Sequence, residues 1–160
     1  MAAEGNILAD YLSRVQASSH DWTLDDIVFH CLCHRWGTPW MDIFASEINT
    51  KCSIYCSWVG IGHHSLRDAF MTSWSQNLLF MFPPIPRIQK MVVKIHLYNT
   101  DAILVAPWWL HKLWFSALWD RELEFVCLLL IPYLLSQHHG KVFHPDLESL
   151  HLTAWRIPPQ

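Results

Sequence analysis

The segment Asp-Ala-Ile-Leu-Val-Ala-Pro at 101–107 constrains the fold more than any other stretch of this chain. A continuous apolar run of this length, ended by a proline, suits a strand covered on both faces, as in the interior of a parallel sheet. Before it, Ile88, Met91, Val92 and Ile95 recur at helical spacing, with Arg87, Lys90 and Lys94 on the wet side. After it, "WWLHKLWFSALW" (108–119) reads as a second helix. Strand, helix and strand in alternation argue for βαβ units with right-handed crossovers, so the expectation is an open, mostly parallel α/β sheet flanked by helices.

Three earlier runs are of strand length and rich in β-branched or aromatic residues: "WMDIFAS", "SIYCSW" and "NLLFMFPP". Between Trp22 and Arg35, Thr23 followed by Asp25 and Asp26 predicts a helix start whose acidic first turn suits the helix dipole. The third strand run stops on Pro83 and Pro84 before helical periodicity resumes. Toward the carboxyl end, "FVCLLLIPYLL" is compatible with strand or helix, and "SLHLTAWRI" alternates like a late strand. Residues 5–20 form a short amphipathic turn and a Ser-containing polar stretch, read as a tail plus linker. No internal repeat is evident.

With 160 residues and 52% hydrophobic content, one domain with a sizeable core is expected. The formal charge is −3, from 11 Lys and Arg against 14 Asp and Glu, so there is no cation excess to neutralise many phosphates. The ten Trp cluster at 36 and 40, 108 and 109, and 114 and 119. Each cluster is read first as packing, with base stacking as the sharper alternative. Met1 to Asp10 has neither a basic start nor a long apolar core, so no secretory leader is expected. Phe125 to Leu135 contains Pro132 and falls short of the roughly 20 residues a bilayer span needs. With five cysteines, this points to a soluble protein of a reducing, intracellular compartment, nuclear or cytoplasmic.

In a parallel sheet, ligands bind beyond the carboxyl ends of the strands. Three places fall there: Asp42 with Ala45 and Ser46, then Phe82 to Ile85, then Ala106-Pro107-Trp108. Asp68 lies between the second and third strand runs and is placed to join them. An acidic group at a strand end can accept hydrogen bonds from a nucleoside or ammonium group. A strand-end Asp is also commonly a helix cap or a solvated residue.

The stretches "WGTPWMDIFASEINTKCSIYCSW", "DAF", "FMFPPIP" and "ILVAPWWLHKLWF" together resemble the phage-type adenine-N6 DNA methyltransferases. They are closer still to the methyltransferase-like module of DIRS-like tyrosine-recombinase retrotransposons, where the loop reads Phe-Pro-Pro and a segment similar to 134–157 follows. The likeness rests on the order and spacing of several motifs and covers nearly the whole chain. "NILADYLSR" resembles the tail of retroelement RNase H, with Asp10 at a position that helps hold catalytic metal in that domain. The resemblance divides the chain into an RNase H-like tail and linker (1–20) and a methyltransferase-like α/β domain with a carboxyl-terminal extension (21–160).

The resemblance implies a Rossmann-like fold and a reaction. In active relatives, the polar first residue of the loop and a proline carbonyl accept hydrogen bonds from the target amino group, and the final aromatic stacks on the flipped base. Here the corresponding catalytic-loop residues are Phe82, Pro83, Pro84 and Ile85. Phe82 has no acceptor and Ile85 no π-face, which implies a degenerate, inactive loop. Asp42, Phe44, Ala45 and Asp68 match the S-adenosylmethionine-binding positions, so that cofactor is expected only if binding survives. Thr38-Pro39 resembles a family Thr-Pro motif but lies closer to Asp42 than the phage enzymes place it. Asp10 lacks the other carboxylates of a two-metal site. Nucleic acid would be met through the remainder of such a polyprotein.

Two rivals stand beside this expectation. One is a working adenine-N6 methyltransferase. The other is a zinc-stabilised nucleic-acid-binding module built on Cys31, Cys33, His34, Cys52 and Cys56, although these cysteines depart from the usual two-residue knuckle spacing. His63-His64 and His138-His139 are read as solvated pairs.

Overall fold

A computed structural model describes residues 22–57, 69–74, 77–121 and 123–160. Asp10, the tail and linker at 1–20, His63-His64 and Asp68 lie outside the described residues. In chain order the elements are β1 (Thr23–Leu24), α1 (Asp26–Trp36), β2 (Met41–Ile43), β3 (Ile54–Cys56), β4 (Leu79–Met81), α2 (Ile88–Leu97) and β5 (Ala102–Pro107). Then come α3 (Leu113–Trp119), β6 (Glu124–Cys127), β7 (Leu135–Gln137), β8 (Val142–Phe143), α4 (Leu147–Leu150) and β9 (Leu152–Ile157).

Six strands form one sheet in the order β3-β2-β4-β5-β9-β6. β3, β2, β4 and β5 are mutually parallel, while β9 runs antiparallel to both β5 and β6. The expected mixed α/β, mostly parallel architecture is therefore present. β5 is buried at all six positions, as its unbroken apolar sequence demands. Side chains alternate between two cores. Ile43, Met81 and Leu104 pack with Met91, Ile95, Trp114 and Leu118 of α2 and α3. Phe80, Ile103 and Val105 pack with Phe29 and Leu32 of α1 on the opposite face. Truncating one such fully buried aliphatic side chain to Ala costs roughly 2–5 kcal/mol.

α1 begins two residues later than Thr23 suggested. Thr23 belongs to β1, and Asp25 is the cap, its Oδ1 accepting from Ile27 N at 3.1 Å and Val28 N at 3.2 Å. The helix stops at Gly37, whose φ of 101° a side chain would resist and whose N–H donates to Cys33 O at 2.8 Å. Residues 108–112 are not helical, against the periodicity. Trp108 N donates to His151 O at 2.9 Å, and this tertiary bond holds the first part of the segment against the start of β9, so α3 forms only from Leu113. "FVCLLLIPYLL" resolves into β6 and an irregular stretch ending at β7. "SLHLTAWRI" holds the short α4 and then β9, separated by His151 in the left-handed region at φ 44°.

A second, three-stranded sheet has the order β1-β7-β8. Thr23 and Leu24 pair with Ser136 and Leu135, and Ser136 and Gln137 pair with Phe143 and Val142. Leu24, Leu134 and Leu135 bury against Phe80 and Leu152, which joins this sheet to the larger one. Among the described residues, no helix is long and apolar enough to cross a membrane.

Candidate functional site at the ends of strands β2 and β4

From β2 the chain moves outward to β3, returns across β2 to β4, and continues to β5 on the other side. The direction of strand addition therefore reverses between β2 and β4, and open α/β sheets bind ligands at such a switch point, beyond the strand carboxyl ends. Asp42 sits opposite Phe80, and Ile43 opposite Met81, across the parallel β2–β4 pair. Phe44 and Ala45 follow β2, and Phe82 to Ile85 follow β4, so these sequence-selected groups come to one end of the sheet.

The carboxylate is enclosed. Asp42 lies within β2, is 3% exposed, and accepts a hydrogen bond at Oδ2 from the backbone N–H of Lys51 at 2.7 Å. Burial pushes its pKa up to about 7, against the smaller downward pull of the Lys51 hydrogen bond and charge. The Lys51 side chain is itself buried and ion-pairs with exposed Asp26 of α1. The hydrogen bond and charge of Lys51 hold Asp26 below the usual carboxylate range.

The backbone just past β2 is committed as well. Phe44 has a φ of 74°, an unusual conformation for a bulky residue, and its ring is buried edge-on against Phe70 and Trp74 at centroid distances of 5.0 and 6.0 Å. The N–H groups of Phe44 and Ala45 both donate to Cys56 O, at 2.9 and 3.0 Å. Next, Asn49 Oδ1 accepts from Ser46 N at 2.7 Å, which winds the loop back over the strand end.

The proline loop is equally occupied. Pro83 and Pro84 are buried, Phe82 is half-buried and Ile85 is 38% exposed. Pro84 O accepts from Arg87 N at 2.9 Å, starting a single turn of 3-10 helix at Ile85–Arg87 that leads into α2. Neither Phe82 nor Ile85 offers a polar atom beyond its backbone.

A lid that the sequence reading missed lies over both loops. Trp22, beside β1, lines a hollow of about 10 Å³ with Asp42, Ala45, Lys51 and Phe82. It also lines a cleft of about 60 Å³ with Pro83, Pro84, Ile85 and His144. The His144 ring stands 4.8 Å from that of Trp22, and Asp146 N donates to its Nδ1 at 3.0 Å. Burial holds His144 below the usual imidazole range, with Asp146 opposing. The available sequence signal for this lid was the His138-His139-Gly140 turn between the short runs "LSQ" and "KVF", which suits a hairpin.

Neither a protein-family model nor a curated protein matches the chain.

Among the described residues, those at the ends of β2 and β4 leave little room for S-adenosylmethionine, and Asp68 lies outside them. A space of about 10 Å³ holds at most one water, Asp42 is already engaged, and the backbone donors after β2 serve β3. The 60 Å³ cleft is smaller than the roughly 150 Å³ that accommodates benzene in a protein core, and a purine is larger than benzene.

The cysteines of the zinc rival are all free thiols: Cys31 is exposed, Cys33 and Cys52 are half-buried and Cys56 is buried. Burial, then Asp42 and Cys33, pushes Cys52 up to about 12. Among the described residues no three His, Cys, Asp or Glu side chains gather as a metal site. His138 and His139 are exposed in the β7–β8 turn.

Proposed function

We propose that this chain is a Rossmann-like, methyltransferase-like module of a DIRS-like retrotransposon polyprotein that has lost methyl transfer and acts as an intracellular scaffold beside the polymerase and recombinase parts. The motif order of the sequence carries the family assignment. The reversal of strand order between β2 and β4 supports it, because the Asp42 strand and the Phe82-Pro83-Pro84 strand are parallel neighbours at the switch point.

Loss of catalysis rests on one observation above all: among the described residues, the hollow beside Asp42 and Phe82 is lined by the chain's own side chains and leaves about 10 Å³. Methyl transfer to a base nitrogen needs the cofactor's methyl group in line with an amino group held by positioned acceptors. Phe82 removes one acceptor, and removing a single positioned polar group of this kind costs roughly a hundredfold or more in rate. A structural role keeps what remains, since Pro83 and Pro84 still end β4 and start the turn into α2. The test is transfer of labelled methyl from S-adenosylmethionine to DNA of varied sequence. Background incorporation is expected, and turnover above background would return the chain to the working adenine-N6 methyltransferases.

A further inference from the structure

Two sizeable hollows lie away from the switch point, around the indole of Trp119. One of about 390 Å³ is lined by Trp108, Leu110, Phe115, Ser116, Trp119 and Asp120. The other, of about 330 Å³, lies against Trp119, Leu123, Phe125 and Trp155. Trp119 stands between them, 52% exposed, at the end of α3.

The first hollow is an aromatic corner. The rings of Trp108 and Trp119 meet at 87° with centroids 5.6 Å apart, and Phe115 lies 4.9 Å from Trp108. The corner is stiff, because Trp108 is backed by the fully buried Trp155, stacked at 5.4 Å and 7°. Trp108 and Trp119 pack edge-to-face, and the half-exposed Trp119 indole leaves π-surface on the hollow, whose negative potential attracts an organic cation.

The charges agree. Asp120 lines the hollow, and neither lysine nor arginine does, Arg121 included. Elsewhere the chain covers aromatic faces with its own cations: Lys90 over Phe70, Lys94 over Trp74, Lys112 over Trp109. Trp108 and Trp119 have no such partner among the described residues. A nucleobase would also stack here, but its phosphates would meet Asp120 and no cation.

We propose that the hollow beside Trp119 binds a small alkylated ammonium group, with the exposed indole against its methyl groups and Asp120 balancing its charge. This binding does not depend on the methyltransferase-like reading. The experiment is titration of the full chain with choline, followed by indole fluorescence and by the Trp Nε1–H resonances, beside 3,3-dimethylbutan-1-ol, which has the same shape without the charge. Choline is expected to give a saturable shift at Trp119 and to bind about tenfold more tightly than the neutral analogue. Trp119→Ala should abolish the shift and Trp119→Phe should retain part of it; because Trp119 is half-exposed, both are expected to fold. Asp120→Asn should weaken choline and leave the neutral analogue unchanged. Equal binding of choline and its analogue, absence of a saturable shift, or a Trp119→Ala protein that binds as well as the parent would overturn the proposal.

Discussion

Lys51 donates its backbone N–H to Oδ2 of Asp42 at 2.7 Å, so the loop leaving β2 folds back and seals the carboxylate that a ligand would otherwise meet. One hydrogen bond offsets part of the cost of burying that charge, and burial still dominates.

Stability should therefore depend on pH through Asp42. Its folded value of about 7 lies above an unfolded value of about 3.9. The folded state thus binds the proton more tightly, and this contribution is complete below the unfolded value and lost as pH rises through about 7. Asp42→Asn keeps an acceptor for Lys51 without the charge. Chemical denaturation across pH should find the variant close to wild type near pH 4 and more stable by on the order of 1–4 kcal/mol above pH 8. A constant difference across that range would contradict the burial argument.

His144 slopes the other way. Its pKa is depressed by burial beside Trp22, so the unfolded chain binds the proton more readily. The associated stability is present above the unfolded value of about 6.5 and is lost as pH falls below it. An NMR titration should place the ring below the usual range, and His144→Gln should flatten the acid side of the stability profile. A normal titration would mean that the lid does not bury this ring.

Restoring the loop chemistry alone should not restore the reaction. Phe82→Asn with Ile85→Tyr would return an acceptor and a stacking face, yet the cleft would remain beneath Trp22 and the cofactor space would remain filled. The double variant is expected to transfer no methyl groups to DNA. It should also lose about 1–3 kcal/mol of stability from placing an amide where Phe82 packs. Activity in this protein would show that the lid opens readily.

Much of the sheet was legible because local signals and tertiary demands agree there. β5 is uninterrupted and apolar, and it is buried throughout. Pro83 and Pro84 end β4, and α2 carries the spacing of Ile88, Met91, Val92 and Ile95 on its buried face. What escaped depended on partners distant in sequence. Thr23 looked like a helix start, but it pairs with Ser136 across most of the chain. Trp108 to Lys112 carried helical periodicity, but the bond from Trp108 N to His151 O takes the first residue out of the helix.

The candidate site was legible as an adjacency and not as an enclosure. Asp42 and the proline loop were expected at one end of the sheet, and they lie there. That Trp22 and His144 cover that end follows from β1 pairing with the carboxyl-terminal hairpin, and two-residue strands leave almost no period in a sequence. Phe44 at φ 74° is a further case, since nothing local distinguishes it from an ordinary strand residue.

Isothermal titration of the purified chain with S-adenosylmethionine addresses the closed crevice most directly. Heats no larger than those of dilution are predicted up to millimolar ligand, whereas a saturable isotherm would contradict the closure.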